Sequence, residues 1–356
     1  MAKFCVFCGN PPENKNAEHI IPQWLIEMTG KKSRPCHLGP ITPNGSIAFG
    51  AFKFPACERC NSEFSALEAS VKTIIQNILA GTSVTGNDLH ILLNWFDKVR
   101  IGLWLADLCL TKKVDEINPH MHIANRMGLK DRMLVIERIA PCDDCINFIG
   151  PGNVSFRYAP SVFQLHINNY IFTNVSEYGL VARRVGFPYC DRMIFMDIED
   201  VRYGPIIKGN GRMCTPVVRN FAPTPEQTII YQPIYKYFQN VSPNLYNTKY
   251  VLEHSIDPSA GAGGIFYQRC GAPTAYLAPE SKLVLTPRVS NKDLFELGIK
   301  NYELHNYVLQ HTYTTKQAPQ HVQMERAIAE QKLVEYNNKK IQLCQYHHQA
   351  GTEIKR

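Results

Sequence analysis

Two cysteine pairs carry the first chemical signal in this chain: Cys5-Val6-Phe7-Cys8 near the N-terminus and Cys57-Glu58-Arg59-Cys60 roughly fifty residues later. Thiolates two residues apart sit in tight turns, and two such turns satisfy Zn²⁺ tetrahedrally. Closing the two knuckles folds everything between them into one stapled unit. Inside the staple lies Glu18-His19-Ile20-Ile21-Pro22, an acid beside an imidazole, and Asn61 follows Cys60 directly. An imidazole titrates near neutrality and can take a proton from water. A carboxylate and an amide oxygen form a sparse hard-oxygen site of the kind Mg²⁺ or Mn²⁺ occupies with retained waters. A base and a cation are what hydrolysis of a phosphodiester requires, because charge builds on the transition state and on the leaving oxygen.

Taken together, Cys5-x2-Cys8, Ala17-Glu18-His19-Ile20-Ile21-Pro22-Gln23 and Cys57-x2-Cys60-Asn61 resemble an HNH endonuclease of the ββα-metal class. The resemblance covers roughly residues 1–70, about a fifth of the chain. It implies a metal-dependent phosphodiester hydrolase acting on nucleic acid, with double-stranded DNA as the expected substrate. It also implies roles for individual residues: His19 as the general base, Glu18 as a ligand of the catalytic divalent metal, and Asn61 completing that site from the first turn of a helix. Cys5, Cys8, Cys57 and Cys60 would hold the structural zinc. The pattern departs from the family at one position. An asparagine that orients the base is usual about nine residues before the last ligand, and Phe52 stands there. Either another group holds the His19 imidazole, with Asn44 as one choice, or the hairpin register is shifted. Glu68, seven residues after Asn61, lies two helical turns on. It reads as an extra metal ligand or as a solvated helix-face carboxylate.

The elements that must position these groups follow from periodicity. From Ser62, apolar residues recur at helical steps (Leu67, Val71, Ile74, Ile75, Ile78) and Gly81 ends the run. A second helix is expected from Gly86 to Leu110, with Leu92, Trp95, Phe96, Val99, Leu103 and Ala106 on its apolar face. Asn94, Asp97, Lys98, Arg100 and Asp107 interrupt that stretch, which makes it a buried helix and excludes a membrane span. Beyond about residue 130, Met133–Ile139, Val154–Tyr158, Val162–Val175, Tyr178–Val185 and Thr228–Tyr235 read as strands, punctuated by Pro/Gly turns. Pro319 opens a last, polar helix with a thin apolar stripe. The expected fold class is therefore α+β. A ββα-metal unit spans residues 1–80, a helical connector 81–128, a mainly antiparallel β-rich accessory domain 129–318, and a C-terminal helix and tail 319–356. That C-terminal region is expected to bind a partner protein or form a homo-oligomer.

Composition bounds the reading more loosely. The 356 residues, 45% of them apolar, suit two or three globular domains, and the net charge of +7 is compatible with phosphate contacts without announcing them. Lys31, Lys32 and Arg34, just past the acid–histidine element, are either phosphate contacts or a solvated loop. Met1-Ala2-Lys3-Phe4 leads straight into the first knuckle, and twelve cysteines without a leader point to a reducing cytoplasm. A third pair, Cys142-x2-Cys145, could form a second zinc site with Cys190, Cys214 or Cys270, but free thiols are expected. His347-His348 beside Cys344 reads as an exposed tail. The functional expectation is conditional DNA cleavage, with restriction or anti-phage defence as the setting that analogy suggests. The alternatives are a non-catalytic zinc-stapled module that binds nucleic acid or protein, and a mobile-element homing nuclease.

Overall fold

The computed structural model describes residues 4–11, 17–36, 47–51, 53–110, 123–140, 144–177, 182, 185–198, 201–216, 221–235, 248–311 and 319–351. Phe52, Asn44 and Cys142 lie outside the described residues.

The N-terminal unit begins with strand β1 (Ala17–His19) and helix α1 (Gln23–Met28), followed by strand β2 (Lys53–Pro55) and helix α2 (Glu58–Leu79). β1 and β2 pair antiparallel, with Glu18 opposite Phe54 and His19 opposite Lys53. Helix α2 starts four residues earlier than Ser62. Cys57 is its N-terminal flanking residue, so the second knuckle is also the first helical turn. The apolar period predicted for the helix holds: Val71, Ile74, Ile75 and Ile78 are buried. Gly81, at φ 69°, then turns the chain out through the left-handed region that glycine enters freely.

Strand β3 (Ser83–Thr85) leads directly into helix α3 (Gly86–Leu110), whose bounds match the expected ones. Thr85 and Asp88 cap its start reciprocally: the Thr85 N–H donates to Asp88 Oδ2 at 2.8 Å and the Asp88 N–H to Thr85 Oγ1 at 3.1 Å. The apolar face from Leu92 to Ala106 is fully buried. The polar residues that interrupt it are buried too, except half-buried Asn94, and each has a partner. Asp97 holds Arg100 at 2.7 Å, Asn94 accepts from Arg132 at 2.5 Å, and Asp107 takes Arg157 through two bonds at 2.6 and 2.8 Å. Buried charge is tolerated only when paired in this way. Among the described residues no helix is long and apolar enough to cross a membrane.

Short helix α4 (Ile123–Arg126) precedes the main sheet. Its first four strands are β4 (Asp131–Ile139), β5 (Ile146–Ile149), β6 (Val162–Ile167) and β7 (Tyr170–Glu177). Strands β8 (Gln227–Gln232), β9 (Ile265–Arg269), β10 (Ala275–Leu277), β11 (Lys282–Val284) and β12 (Val289–Ser290) follow. Eight strands form one sheet in the order β10-β9-β8-β4-β7-β6-β5, with β12 added parallel to the end of β4. All other pairings in it are antiparallel, as expected. β11 instead pairs with β3, tying the connector to the C-terminal part of the chain.

Two expectations about this region are corrected. Val154–Tyr158 is helix α5, not a strand: the Asn153 side chain accepts the Ser155 N–H and caps it. Val162–Val175 is a hairpin broken at Asn168, which adopts φ 50°. Tyr178–Val185 lies mostly outside the described residues, and its described positions, Ala182 and Val185, are helical. Helix α6 (Leu294–His311) has no counterpart in the strand-and-helix pattern read from the sequence, because Asn301 and His305 occupy core positions on its buried face. Helix α7 (Gln320–Gln349) follows Pro319 as expected.

Alternation along the central strands explains their complete burial. Leu134, Ile136, Phe163, Leu165 and Phe172 share a core with Phe96 of α3, whereas Met133, Val135, Val162 and Val175 pack with Leu304 and Val308 of α6. The sheet is thus a middle layer with helices on both faces. The α3-side core runs without a break from Cys5 to Leu285.

Candidate functional site

The four cysteines of the two knuckles converge. Their sulfurs all lie within 4.8 Å of one another, and Cys8 Sγ is 3.8 Å from Cys57 Sγ. Zinc–thiolate bonds of about 2.3 Å at tetrahedral angles require sulfurs about 3.8 Å apart, so the cluster fits Zn²⁺. The local sequence builds it. Gly9 at φ 79° closes the first turn with its N–H on the Cys5 carbonyl at 2.9 Å, and the Val6 N–H docks on Pro55 at 3.0 Å. Burial pushes the Cys5 and Cys60 thiols above the ordinary thiol range. Cys57 is held below it: burial is outweighed by hydrogen bonds from the Cys60 backbone and from the neighbouring thiols. Thiols crowded this closely compete for protons, and a dication relieves that competition by taking all four as thiolates.

Neighbouring residues on a strand face opposite ways, and Glu18 and His19 obey that rule. Glu18 turns inward and is buried. Its carboxylate meets Lys98 of α3 at 2.6 Å, and Lys98 also pairs with Glu68 of α2. The Lys98 side chain is only 1% exposed. Its ammonium lies 5.6 Å from the Phe7 ring centre and 5.7 Å from that of Phe64, rings that stack on each other. Gly102, one turn beyond Lys98, packs closely on the residue after His19: a Cβ there would meet Ile20 Cδ1 at 2.8 Å. Burial pushes Glu68 up to about 7, against the pull of Lys98 and with the push of Glu18. Glu68 is therefore neither solvated nor alone.

His19 turns outward and is half-buried. Its Nε2 lies 3.1 Å from the Gly50 carbonyl, and its Nδ1 lies 3.4 Å from Gln23 Nε2. The Gly50 carbonyl, two residues before position 52, is thus a backbone contact that holds the imidazole. Around the imidazole stand exposed Lys53, its cross-strand partner, and Lys32, whose Nζ is 3.4 Å from Gln23 Oε1 and 2.6 Å from Glu27. Arg34 is different. It donates to Thr29 Oγ1 at 2.7 Å and Ile26 O at 3.1 Å, closing the end of α1 and leaving no free head for a phosphate. Asn61 sits half-buried in the first turn of α2, with its N–H on the Cys57 carbonyl at 3.0 Å. It lies two turns before Glu68 on the same face. Lys98 is the residue that sequence reading missed; its signal was a lysine on the apolar side of α3, where an unpaired charge is too costly to stand.

The remaining cysteines and histidines behave otherwise. Among the described residues the only other metal-type cluster is Asp293, Glu296 and His348, at the surface. His347 and His348 are not a free tail: His348 Nδ1 is 2.8 Å from Asp293 Oδ2, and His347 stacks on Phe295. A cavity of about 580 Å³ lies on the α6 side of the sheet, opposite the N-terminal unit, and is unrelated to His19.

No protein-family model matches the chain, and neither a curated protein nor a solved structure matches it.

Proposed function

We propose that the N-terminal unit is a zinc-stapled, metal-dependent endonuclease of the HNH type that hydrolyses DNA phosphodiester bonds, and that the sheet and C-terminal helices condition its use. The observation that carries this reading is His19: an imidazole at the open end of a strand, fixed by a backbone carbonyl, flanked by exposed lysines and held on a four-cysteine staple. A carbonyl oxygen can only accept, so Nε2 carries the hydrogen and Nδ1 keeps its lone pair. The Gln23 amide touches that lone pair through a long, exposed contact that a water molecule can replace. Nδ1 then takes the water's proton, and Gln23 can turn its Oε1 toward the resulting N–H. Lys32 and Lys53 attract the anionic backbone to this face. Glu18 and Asn61 supply the hard oxygens that would hold Mg²⁺ or Mn²⁺, with Glu68 as the third donor. The ion, when bound, stabilises charge on the phosphoryl and leaving oxygens.

One observation favours a second reading, a non-catalytic zinc-stapled binding module: the carboxylates of Glu18 and Glu68 already share a cation, Lys98. Incubating the full chain with supercoiled plasmid and Mg²⁺, Mn²⁺ or EDTA separates the two. Nicking or linearisation that requires the divalent ion, reduced roughly a hundredfold or more in folded His19→Ala protein, supports the nuclease. Absence of metal-dependent cutting, or wild-type cutting by His19→Ala, overturns it.

A further inference from the structure

The third cysteine pair of the sequence, Cys142-x2-Cys145, belongs neither to the zinc staple nor to the His19 site, and its described member has a specific neighbour. Cys145 stands just before β5, and its Sγ lies 3.7 Å from Nδ1 of His166 on β6. Strand register brings the two together: Ile146 pairs with Ile167 and Asn147 with His166, which sets Cys145 level with the turn that follows β6. At that turn Asn168, held at φ 50°, clamps both residues. Its N–H donates to the Cys145 carbonyl at 2.8 Å, and its Oδ1 accepts the Cys145 N–H at 3.2 Å. Its own carbonyl lies 2.6 Å from His166 Nε2. A carbonyl can only accept, so Nε2 carries the ring hydrogen and Nδ1 turns a lone pair toward the thiol. A nucleophile thus faces a base that a third group orients.

The surroundings favour reaction at sulfur. His166 is buried and Cys145 half-buried, so the sulfur is the member of the pair that a small molecule can reach. Arg34 of the N-terminal unit donates from Nη1 to the Asp144 carbonyl at 3.2 Å. Burial lowers the Arg34 guanidinium, and Cys145 and Asp144 push it back up, which places a fixed cation near the sulfur. Among the described residues no third metal-type ligand joins Cys145 and His166.

We infer that Cys145 and His166 form a thiol–imidazole pair that reacts with hydroperoxides, which makes Cys145 an oxidation site built into the edge of the sheet. In the step, His166 Nδ1 takes the thiol proton and the thiolate sulfur attacks one peroxide oxygen. The S–O bond forms as the O–O bond breaks, and the imidazolium returns its proton to the departing oxygen. Sulfur is oxidised by two electrons to the sulfenic acid, and hydrogen peroxide is reduced to water. This inference is independent of the nuclease reading.

The test treats zinc-loaded, full-length protein with hydrogen peroxide. A sulfenic-acid trapping reagent then marks the oxidised thiols, and fragment masses resolve each cysteine, including Cys145 from Cys142. Cys270, exposed just after β9, serves as the internal standard. Cys145 should oxidise roughly tenfold or more faster than Cys270 although it is less exposed, because a paired base raises the thiolate fraction. This comparison is made within the wild-type chain and decides the matter without any variant. His166→Gln should bring Cys145 down to the rate of Cys270 or below while leaving Cys270 unchanged, the latter showing an intact fold. Cys145 reacting no faster than Cys270 overturns the proposal, as does wild-type Cys145 oxidation in folded His166→Gln. A second equivalent of zinc that shields Cys145 until it is chelated also overturns it, since the pair would then be metal ligands.

Discussion

Lys98 is the residue on which the N-terminal unit turns. Its ammonium draws together carboxylates from β1 and α2 in a site with almost no water, and it does so from a third element, α3. Removing one partner of such a buried group leaves the others uncompensated. Lys98→Met should therefore lower unfolding stability by roughly 3 kcal/mol in urea titrations. Adding Glu18→Gln and Glu68→Gln should recover most of that loss, since the triple variant buries no charge. If the triple variant is as unstable as Lys98→Met alone, packing of the lysine stem, and not its charge, is what matters. His19 shows the complementary case. Its Nε2 rests on a backbone carbonyl, so Gln23→Ala, which removes only the longer contact at Nδ1, should leave the imidazole oriented.

At the scale of elements, the zinc staple and helix α2 are one structure, because Cys57 flanks the helix and Cys60 lies in its first turn. Metal removal should therefore unwind the start of α2 as well as free the first knuckle. About one zinc per chain should copurify with the protein, and chelation or Cys57→Ala should lower helical ellipticity. Folded protein without zinc would contradict this. Helix α6 carries a second element-scale consequence. His305 is fully buried in it, edge-on to Phe156, and its Nε2 has no hydrogen-bond partner among the described residues. Burial holds its imidazole down at about 4, against a hydrogen bond to the Val162 backbone. An unfolded histidine binds its proton near 6.5, so between these values the unfolded state holds more protons. Stability from this group is then complete above about pH 6.5 and is lost as pH falls toward 4, by roughly 3 kcal/mol in all. His305→Leu should flatten the stability profile between pH 4 and 6.5, as read by denaturant titration at each pH. An unaltered profile would mean that another group sets the acid limit.

On the scale of the whole molecule, the N-terminal unit and the sheet share a core. Phe96 of α3 lies 6.0 Å from Phe163 and 5.7 Å from Phe172, ring centre to ring centre, and β3 pairs with β11 from far along the chain. A fragment ending after α3 would expose that whole face of the helix to water. Residues 1–110 should consequently aggregate or bind hydrophobic dyes even when zinc-loaded, whereas the full chain should not. A soluble, dye-negative fragment would show that the zinc unit folds without the sheet. The same continuity gives the accessory layers a physical route to act on His19 and Lys98, since α3 touches both the sheet and the acid–histidine strand.

Local spacing was enough to read the knuckles, the acid–histidine strand, α3 to its ends and the antiparallel sheet. Each is written in residues a few positions apart, through turn geometry, helical period or strand propensity. The structure decided what lies between distant residues. Lys98 reaches Glu18 across eighty positions, Gly50 rather than a side chain orients His19, and Arg34 closes α1 instead of facing a phosphate. Val154–Tyr158 has strand-like composition yet caps on Asn153 as a helix, because its setting beside α3 and the sheet outweighed a weak propensity. Helix α6 stayed hidden because polar Asn301 and His305 hold core positions, which only the packed interior could assign. Patterns specify elements; which charge neutralises which depends on three elements meeting at one point, and that is settled only when the core closes.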